Sequence, residues 1–301
     1  METSYQIEKN KALEAFNNTF TEEDNRYSHT LGVVKKALSL AEKYNVDKDK
    51  VYIAAILHDI CKYYDINDAK KYLTEEELAE CEVNEAYYHA YLASKYYLRN
   101  IGNDKEIADA IKFHVNGNDH LTKLQEIVLI SDYIEDGRTY ESCIYARNLV
   151  DKGLFYTAIY YSTLKTYEIV LKRGHRPGKY LEEVLVKYKE KMMTEKLQLL
   201  KEACDKVNAS DIKCYNTALT SPFFDYNICA SVTSNRQLNA IKSYVLEYFK
   251  DTPYSIRNVE GEDTDWVLVD CYDVILNIFT ETERQRVDLD RLFENNEQVE
   301  L

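Results

Sequence analysis

The sequence predicts a multi-domain protein in which an all-α helical bundle is followed by a small α+β domain. Up to about residue 190, apolar residues recur at three- and four-residue spacing, and the rare glycines and prolines fall between the periodic segments. Beyond that point the pattern changes to short alternating or continuous apolar runs, which are typical of strands. The length of 301 residues also favours two domains over one. We therefore expect one domain over residues 1–190 and a second over residues 191–301.

Each predicted helix of the first domain corresponds to one periodic segment. The second segment is the clearest, because Leu31, Val34, Leu38 and Ala41 follow a three-four spacing. Gly174 is a typical stop signal after the ninth segment. The first helix is predicted to end near Phe20, and the others to span residues 26–41, 51–63, 75–80, 85–99, 105–114, 124–134, 140–149 and 155–172. A further helix, residues 179–207, is expected to span the domain boundary.

The second domain is predicted to contain a largely buried sheet and one amphipathic helix. The helix, residues 235–249, has an apolar stripe through Leu238, Ile241 and Val245. The sheet strands are short, as expected for a small α+β domain. The predicted strands cover residues 212–215, 226–232, 266–270 and 274–279.

Composition excludes several classes of protein. The formal net charge of −14 argues against a broad nucleic-acid-binding face. The seven cysteines are scattered without a CxxC pair, which fits reduced thiols better than disulfides or a zinc site. No apolar run reaches the roughly 18 residues of a membrane span, and the N-terminus has no signal-peptide core. We therefore expect a cytoplasmic protein that does not enter a membrane and does not bind DNA directly.

The apolar stretch at residues 53–62, IAAILHDICK, contains the adjacent residues His58 and Asp59. We predict that both lie within a buried helix, where an ionised acid is costly unless it is paired or bound to a metal. A core histidine beside a capping aspartate is the alternative, and the dipeptide alone slightly favours it. Further ligand-type residues lie among apolar neighbours on other segments: His29, His89, His114 and Asp132. Six such residues favour one shared metal site over six isolated polar groups.

Residues 26–33 (RYSHTLGV), 57–62 (LHDICK) and 131–138 (SDYIEDGR), together with His114, resemble the HD-domain symmetrical bis(5′-nucleosyl)-tetraphosphatases of the YqeK type. The resemblance covers about three-fifths of the chain and implies that diadenosine tetraphosphate is split into two ADP. It also implies two transition-metal ions, iron or else manganese, which suit imidazole and carboxylate ligands. By this resemblance, one ion is held by His29, His58, Asp59 and Asp132, and a second by His89 and His114, with Asp59 bridging.

The resemblance also directs attention to cations, because phosphate transfer needs positive charge near the reacting group. Lys62 is the first choice, since it projects from the same face as His58. Arg26 and Arg138 are further choices, although surface arginines more often only pair with acids. With the bridging Asp59, these are the predicted catalytic residues. Glu135 is expected to support a ligand rather than to bind metal.

One segment departs from the resembled family. Residues 114–118 read HVNGN, where the family tends to have HTTGR, so an arginine that could touch phosphate is absent. The ligands are intact, and hydrolysis is expected to survive, but the substrate preference and rate are left open. His120 is an extra polar group nearby, and His175 is expected to be an ordinary loop histidine.

Residues 221–226 (SPFFDY), 234–237 (SNRQ) and 266–274 (WVLVDCYDV) resemble the ribosomal silencing factor family (RsfS, Iojap-like). The resemblance covers the second domain and implies docking on a large-subunit ribosomal protein at the inter-subunit face, which blocks subunit joining. Residues 195–301 carry 11 Lys and Arg against 20 Asp and Glu, and an acidic domain suits a basic partner. Trp266 and Asp270 are the predicted contacts, with Trp266 as part of the strand core the alternative.

Three functions therefore remain open. The first is a dinucleoside tetraphosphate hydrolase fused to a ribosome-silencing module. The second is a nucleotide sensor, in which the helical domain turns its ligand over slowly and regulates ribosome silencing. The third is an HD phosphohydrolase of other nucleotides or phosphoesters. Turnover measured on a panel of dinucleotides distinguishes the three.

Overall fold

A computed structural model describes residues 4–301, apart from the side chains of Ser4 and Asp68. The chain divides into two compact units, Met1–Met192 and Met193–Leu301. The boundary falls inside one long helix, Lys179–Lys206. No helix in the described part of the chain has both the length and the hydropathy needed to cross a membrane.

The described part of the first unit is all-α, which confirms the predicted fold class. The helices begin with side-chain caps where the sequence offers them, such as Asp24, Asp47 and Thr122. They are α1 (Ser4–Thr19), α2 (Asn25–Lys43), α3 (Lys48–Leu57), α4 (Ile66–Ala69), α5 (Glu75–Val83), α6 (Tyr88–Asn100), α7 (Lys105–Lys112), α8 (Lys123–Ile134), α9 (Glu141–Asp151), α10 (Phe155–Lys172) and α11 (Lys179–Lys206).

Helix α3 lies at the centre of this unit. It contacts α1, α2, α7 and α8, and every residue from Ile53 to Leu57 is at most 1% exposed. A helix that is apolar on all sides is stable only when it is surrounded by other helices. Its C-terminal end therefore delivers the residues that follow it into the interior of the bundle.

The predicted helix over residues 51–63 is too long, because α3 ends at Leu57 and His58 is its C-cap. Residues 58–63 form turns, in which the N–H of Ile60 bonds to Leu57 O and the N–H of Lys62 bonds to Asp59 O. The His58 ring also bonds to the Ala55 carbonyl oxygen at 2.7 Å. His58 and Asp59 thus lie at the end of a buried helix. The prediction that they lie within it was wrong.

The second unit is built on a six-stranded mixed sheet, as predicted for an α+β domain. The strands are β1 (Ser210–Asn216), β2 (Tyr226–Val232), β3 (Asn258–Glu260), β4 (Trp266–Asp270), β5 (Val274–Thr280) and β6 (Gln298–Val299), in the order β3-β4-β5-β2-β1-β6. Strands β2 and β5 are parallel, and the other neighbours are antiparallel. Two short edge strands, β3 and β6, were not predicted.

Two helices accompany the sheet, α12 (Asn235–Phe249) and α13 (Glu281–Val287). The buried stripe of α12 contains Leu238, Ile241 and Val245, as its spacing predicted. In the register of β4 and β5, Trp266 lies opposite Phe279 and Leu268 lies opposite Asn277. Side chains of directly opposed residues share a sheet face, so this face carries both aromatic rings and an amide.

Candidate metal centre

The six ligand-type residues singled out in the sequence come together in the first unit. Neighbouring imidazole rings are close, with centroids 5.5 Å apart for His29 and His58, 5.0 Å for His58 and His114, and 5.2 Å for His89 and His114. They arrive from α2, the turn after α3, the first turn of α6, the turn after α7, and α8. Two of the resulting groups have the geometry of a metal site: His29, His58 and Asp132; and His58, Asp59 and His114.

Asp59 occupies the middle of this cluster. Its Oδ2 lies 3.6 Å from Nε2 of His58 and 3.9 Å from Nε2 of His29. Its Oδ1 faces the other pair, at 3.0 Å from Nε2 of His89 and 3.8 Å from Nε2 of His114. The two oxygens of one carboxylate therefore face two different groups of histidines.

Asp132 completes the first group. Its Oδ1 lies 3.0 Å from Nε2 of His29 and 3.8 Å from Nε2 of His58. Neither of these buried imidazole nitrogens has a well-formed hydrogen bond within the described structure. Buried polar atoms normally make well-formed hydrogen bonds, so two convergent nitrogens that face a carboxylate without such a bond indicate a place for a cation.

Backbone carbonyls determine which nitrogen of two rings carries the proton. Nδ1 of His58 lies 2.7 Å from Ala55 O, and Nδ1 of His114 lies 2.7 Å from Ile111 O. A carbonyl oxygen can only accept, so Nδ1 carries the hydrogen in both rings. Nε2, which faces the cluster, is then left with its lone pair for a metal.

Glu135 orients the His29 ring from outside the cluster. Its Oε1 lies 3.2 Å from Nδ1 of His29, and its Oε2 accepts the Gly137 N–H at 2.6 Å. A Cβ atom placed on Gly32 would come within 2.5 Å of Glu135 Oε2. Gly32, three residues after His29 on α2, therefore leaves the room that this carboxylate occupies.

The protonation of His58, His89 and the two aspartates suits a divalent cation. For His29, burial lowers the pKa, but Asp132 and Glu135 outweigh it and raise this pKa overall. Burial lowers the pKa of His58 and of His89 to about 4, so both rings are neutral near pH 7. Burial alone would raise the pKa of Asp59, but the surrounding histidines and Lys62 outweigh it and hold this pKa well below its usual range. Burial likewise opposes ionisation of Asp132, but Arg138 and His29 hold the pKa of Asp132 well below its usual range. Neutral imidazoles and ionised carboxylates are the forms that bind metals.

The three predicted phosphate contacts converge on the same two carboxylates. Arg26 Nη1 lies 2.7 Å from Asp59 Oδ2, and Arg138 Nη2 lies 2.7 Å from Asp132 Oδ1. Lys62 Nζ lies 3.5 Å from Asp59 Oδ1. Each cation keeps roughly 30% of its side chain exposed (32%, 30% and 28%). Positive charge therefore borders the cluster on its solvent side.

In the second unit, the two predicted contact residues have different surroundings. The half-buried Trp266 stacks on Phe279 with ring centroids 5.0 Å apart, and its indole N–H donates to Asn277 at 3.0 Å. Trp266 thus packs on the sheet with one side of its ring, while the rest of the side chain remains accessible. Asp270 is buried and accepts a hydrogen bond from Arg257 Nε at 2.9 Å.

Comparison with protein-family models assigns both parts of the chain. Residues 26–137 match the HD domain, and residues 190–301 match the family described as ribosomal silencing factor during starvation. A symmetrical bis(5′-nucleosyl)-tetraphosphatase of Halalkalibacterium halodurans is 31% identical over 172 residues, which are 56% of this chain and 90% of that protein. The ribosomal silencing factor RsfS of the same organism is 30% identical over 108 residues, 36% of this chain and 92% of that protein.

The chain belongs to both families. A solved structure supports the first assignment: a predicted HD superfamily hydrolase involved in NAD metabolism from Clostridium acetobutylicum superimposes with a TM-score of 0.54. It is 26% identical and covers 60% of this chain and 97% of its own. The first unit is therefore an HD-domain hydrolase, and the second is a ribosomal silencing factor domain.

A cavity of about 340 Å³ adjoins the cluster of ligand-type residues in the hydrolase unit. It is lined by two residues of that cluster, His114 and Asp132, and by the cation Arg138. Arg173 and His175 also line it, although the sequence had suggested an ordinary loop histidine at position 175. No local sequence signal marked these two residues, because their position depends on how the end of α10 packs. By contrast, the His120 side chain is 85% exposed and lies against Asp119.

Proposed function

We propose that the first unit hydrolyses diadenosine tetraphosphate symmetrically to two ADP, and that the second unit binds the large ribosomal subunit and blocks subunit joining. The observation that carries the enzymatic half is the position of Asp59 between two groups of histidines. A carboxylate so placed can bridge two metal ions. Relatives named for this reaction align over about nine-tenths of their own length, which supports the same reaction here.

Two divalent ions suit this donor set. His29, His58, Asp59 and Asp132 would hold one ion, and Asp59, His89 and His114 would hold the other. Imidazole and carboxylate ligands without thiolates suit iron or manganese, and we take iron as the first choice. When bound, two such ions polarise phosphoryl oxygens and lower the pKa of a water molecule.

The cations Arg26, Lys62 and Arg138 then have a role of their own. Each contacts a carboxylate of the cluster and remains partly exposed, so each can turn towards phosphate oxygens without entering the core. The tetraphosphate is highly anionic, and positive groups aimed at it stabilise the charge that develops as the bond breaks. Arginine is well suited to this, because its planar group can bind two phosphate oxygens at once.

The cavity beside the cluster accommodates one nucleoside half of the substrate. Arg138 and Arg173 supply positive charge along its wall, and Tyr133 and Ile169 supply aromatic and apolar surface. A mostly apolar cavity with a few charged groups is the usual form of a small-molecule site. The missing arginine of the HVNGN segment is thus offset by arginines from other elements.

The test is turnover by the full chain after reconstitution with iron or manganese. Diadenosine tetraphosphate should yield ADP alone, and His58→Ala should abolish this activity. AMP with ATP as products would exclude symmetrical cleavage. Tight nucleotide binding with negligible turnover would favour the sensor, and turnover of other phosphoesters alone would favour the broader phosphohydrolase.

Lys62→Ala should lower kcat with little effect on metal content, which separates phosphate contact from metal binding.

The ribosomal half rests on the acidic surface around Trp266. A cavity of about 450 Å³ is lined by Trp266 and by the carboxylates of Glu260, Asp265 and Glu283. An aromatic face beside carboxylates favours a lysine or arginine side chain. A basic ribosomal protein offers such side chains, and rRNA would be repelled. Asp270 is proposed to act by orienting this region, since it is held by Arg257. A ribosomal partner implies a cytoplasmic location.

Cosedimentation of the full chain with isolated large subunits tests this half. Asp265→Lys should weaken binding and make it less sensitive to salt, because it replaces an attractive charge in the cavity by a repulsive one. Asp251→Lys, an exposed aspartate outside that cavity, is the matched control. Equal binding by both variants and the parent chain would contradict the assignment of this surface. Trp266→Ala is a second variant, with its fold checked by circular dichroism, since the ring also packs on Phe279.

A further inference from the structure

A second cavity, of about 280 Å³, lies in the hydrolase unit on the side of α6. Its wall is unusually rich in aromatic rings and also contains two cations. Two of the tyrosines, Tyr64 and Tyr72, are 51% and 47% exposed, so the rings are accessible. The full lining is Cys61, Tyr64, Tyr72, Leu92, Lys95, Tyr96, Arg99 and Asn100.

Two segments of the chain contribute residues both to this cavity and to the cluster of ligand-type residues. Cys61 lies two residues after Asp59, in the turn that follows α3. On α6, His89, Leu92, Tyr96 and Arg99 follow each other at three- and four-residue spacing and so share one face of the helix. The rise of about 1.5 Å per residue places Tyr96 about 10 Å along the axis from His89. That distance is comparable with the two phosphates and the ribose that separate a base from the bond to be cleaved.

The side chains are suited to a purine base. Base–aromatic stacking is favourable for any base, because every base has a π-face. The guanidinium carbon of Arg99 lies 4.8 Å from the centre of the Tyr72 ring, which forms a flat, charged edge of the cavity. Lys95 is held by Glu77 at 3.0 Å and is less available. The amide nitrogen of Asn100 donates to Tyr96 O at 3.0 Å, so its oxygen remains as an acceptor for an exocyclic amino group.

The symmetry of the reaction leaves a second nucleoside to be placed. A bond broken midway between two equal halves has a nucleoside on either side of it, and we assign only one of them to the first cavity. We propose that the cavity of Tyr64, Tyr72, Tyr96 and Arg99 binds the second adenosine of the dinucleotide. This inference rests on the proposed function of the hydrolase unit. It makes Tyr72 and Arg99 specificity-determining residues that distinguish dinucleotides from mononucleotides.

Substrate truncation tests the proposal. Adenosine 5′-tetraphosphate has the same four phosphates as diadenosine tetraphosphate but lacks one nucleoside. In the metal-loaded full chain, Tyr72→Ala and Arg99→Ala should each lower kcat/KM for the dinucleotide about tenfold, mainly through KM, as expected for loss of a stacking contact. The kcat/KM for the mononucleotide should change by no more than about twofold, because this substrate can bind through the first cavity alone. Tyr140→Ala, which removes a tyrosine that is 73% exposed on the same unit, is the matched control.

The outcomes separate this proposal from the proposed function. If both substrates lose the same factor, the residues act on the fold, and if neither changes, the cavity binds no nucleoside; either result overturns the inference. The affinity for a diadenosine tetraphosphate analogue with a methylene group at the cleaved position is measured by calorimetry in parallel. Should the parent chain release no ADP, the hydrolase assignment fails. Weaker analogue binding by Arg99→Ala would then still support the second site, and unchanged or absent binding would overturn it.

Discussion

In the hydrolase unit, Nε2 of His29 and Nε2 of His58 are buried without a well-formed hydrogen bond. In the silencing-factor unit, the buried amides of Asn227 and Asn277 bond to each other at 2.8 Å, and Asn277 also accepts from Trp266. Among the described residues, every buried side-chain nitrogen or oxygen that lacks a partner lies in the first unit. The first unit thus leaves imidazole nitrogens that a bound metal ion could use. The second unit pairs its buried polar groups with each other, so a partner would bind at its surface.

The cost of these two arrangements differs. An unpaired buried polar group destabilises a fold, so it persists where function needs it or where a ligand completes it. A paired amide network contributes to stability and orients the residues around it. A metal ion should therefore stabilise the first unit only, and loss of one amide should destabilise the second unit only.

Metal binding should have the largest effect. Iron or manganese should raise the unfolding midpoint of the first unit, because a ligand held at 100 times its Kd adds about 2.7 kcal/mol. His58→Ala should greatly reduce this rise, since it removes one of the rings assigned to the first ion. Calorimetry of the full chain with and without metal measures it. His120→Ala, an exposed histidine outside the cluster, should keep the full response; an equal rise in both variants would refute the assigned ligands.

Glu135→Gln should have the next largest effect. The amide cannot hold Nδ1 of His29 as a carboxylate does, and loss of such a supporting group typically weakens metal binding about 10- to 100-fold. Competition with a chelator measures the affinity. Asp136→Asn is the matched control, because Asp136 bonds to Lys35 and not to a ligand. If the two variants bind metal equally well, Glu135 does not position His29.

Asn277→Ala should destabilise the second unit by about 1–3 kcal/mol, the usual cost of leaving buried partners unpaired. The groups left unpaired are the Asn227 amide oxygen and the Trp266 indole N–H. Urea unfolding followed by Trp266 fluorescence reports on this unit, and the metal content should stay unchanged. Asn258→Ala, which removes an exposed amide of the same sheet, should cost much less. Equal losses would show that the buried network is unimportant.

Acid sensitivity of the second unit should be the smallest effect. Burial would raise the pKa of Asp290, but hydrogen bonds from Arg284 and Tyr215 outweigh it and lower this pKa overall. A carboxyl with a lower pKa in the folded state stabilises the fold above its unfolded pKa, and this contribution is lost as the pH falls through the folded pKa. We expect a loss of about 1 kcal/mol below pH ~4. Asp290→Asn should lack this pH-dependent loss, and an unchanged pH profile would contradict the assignment.

The fold class and the grouping of the six ligand-type residues could be predicted from the sequence, the first for a physical reason. Periods of 3.6 and 2 residues follow from backbone geometry, so apolar spacing reveals helices and strands before any tertiary contact is known. The same spacing predicted a helix over residues 51–63 that extends past the true end of α3. Apolar spacing carries no information about the side-chain contacts that end a helix. The bond from His58 to Ala55 O and the turns after Leu57 end α3 there.

The sequence by itself determined the two-domain organisation and the residue types available for metal binding. Only the tertiary structure decided which way each Nε2 points, that the two oxygens of Asp59 face different histidines, and that Arg173 and His175 line a cavity beside them. These features depend on contacts between residues far apart in the chain. Local patterns carry no record of such contacts, because the distance between two helices is set by packing and not by the spacing of residues within either one.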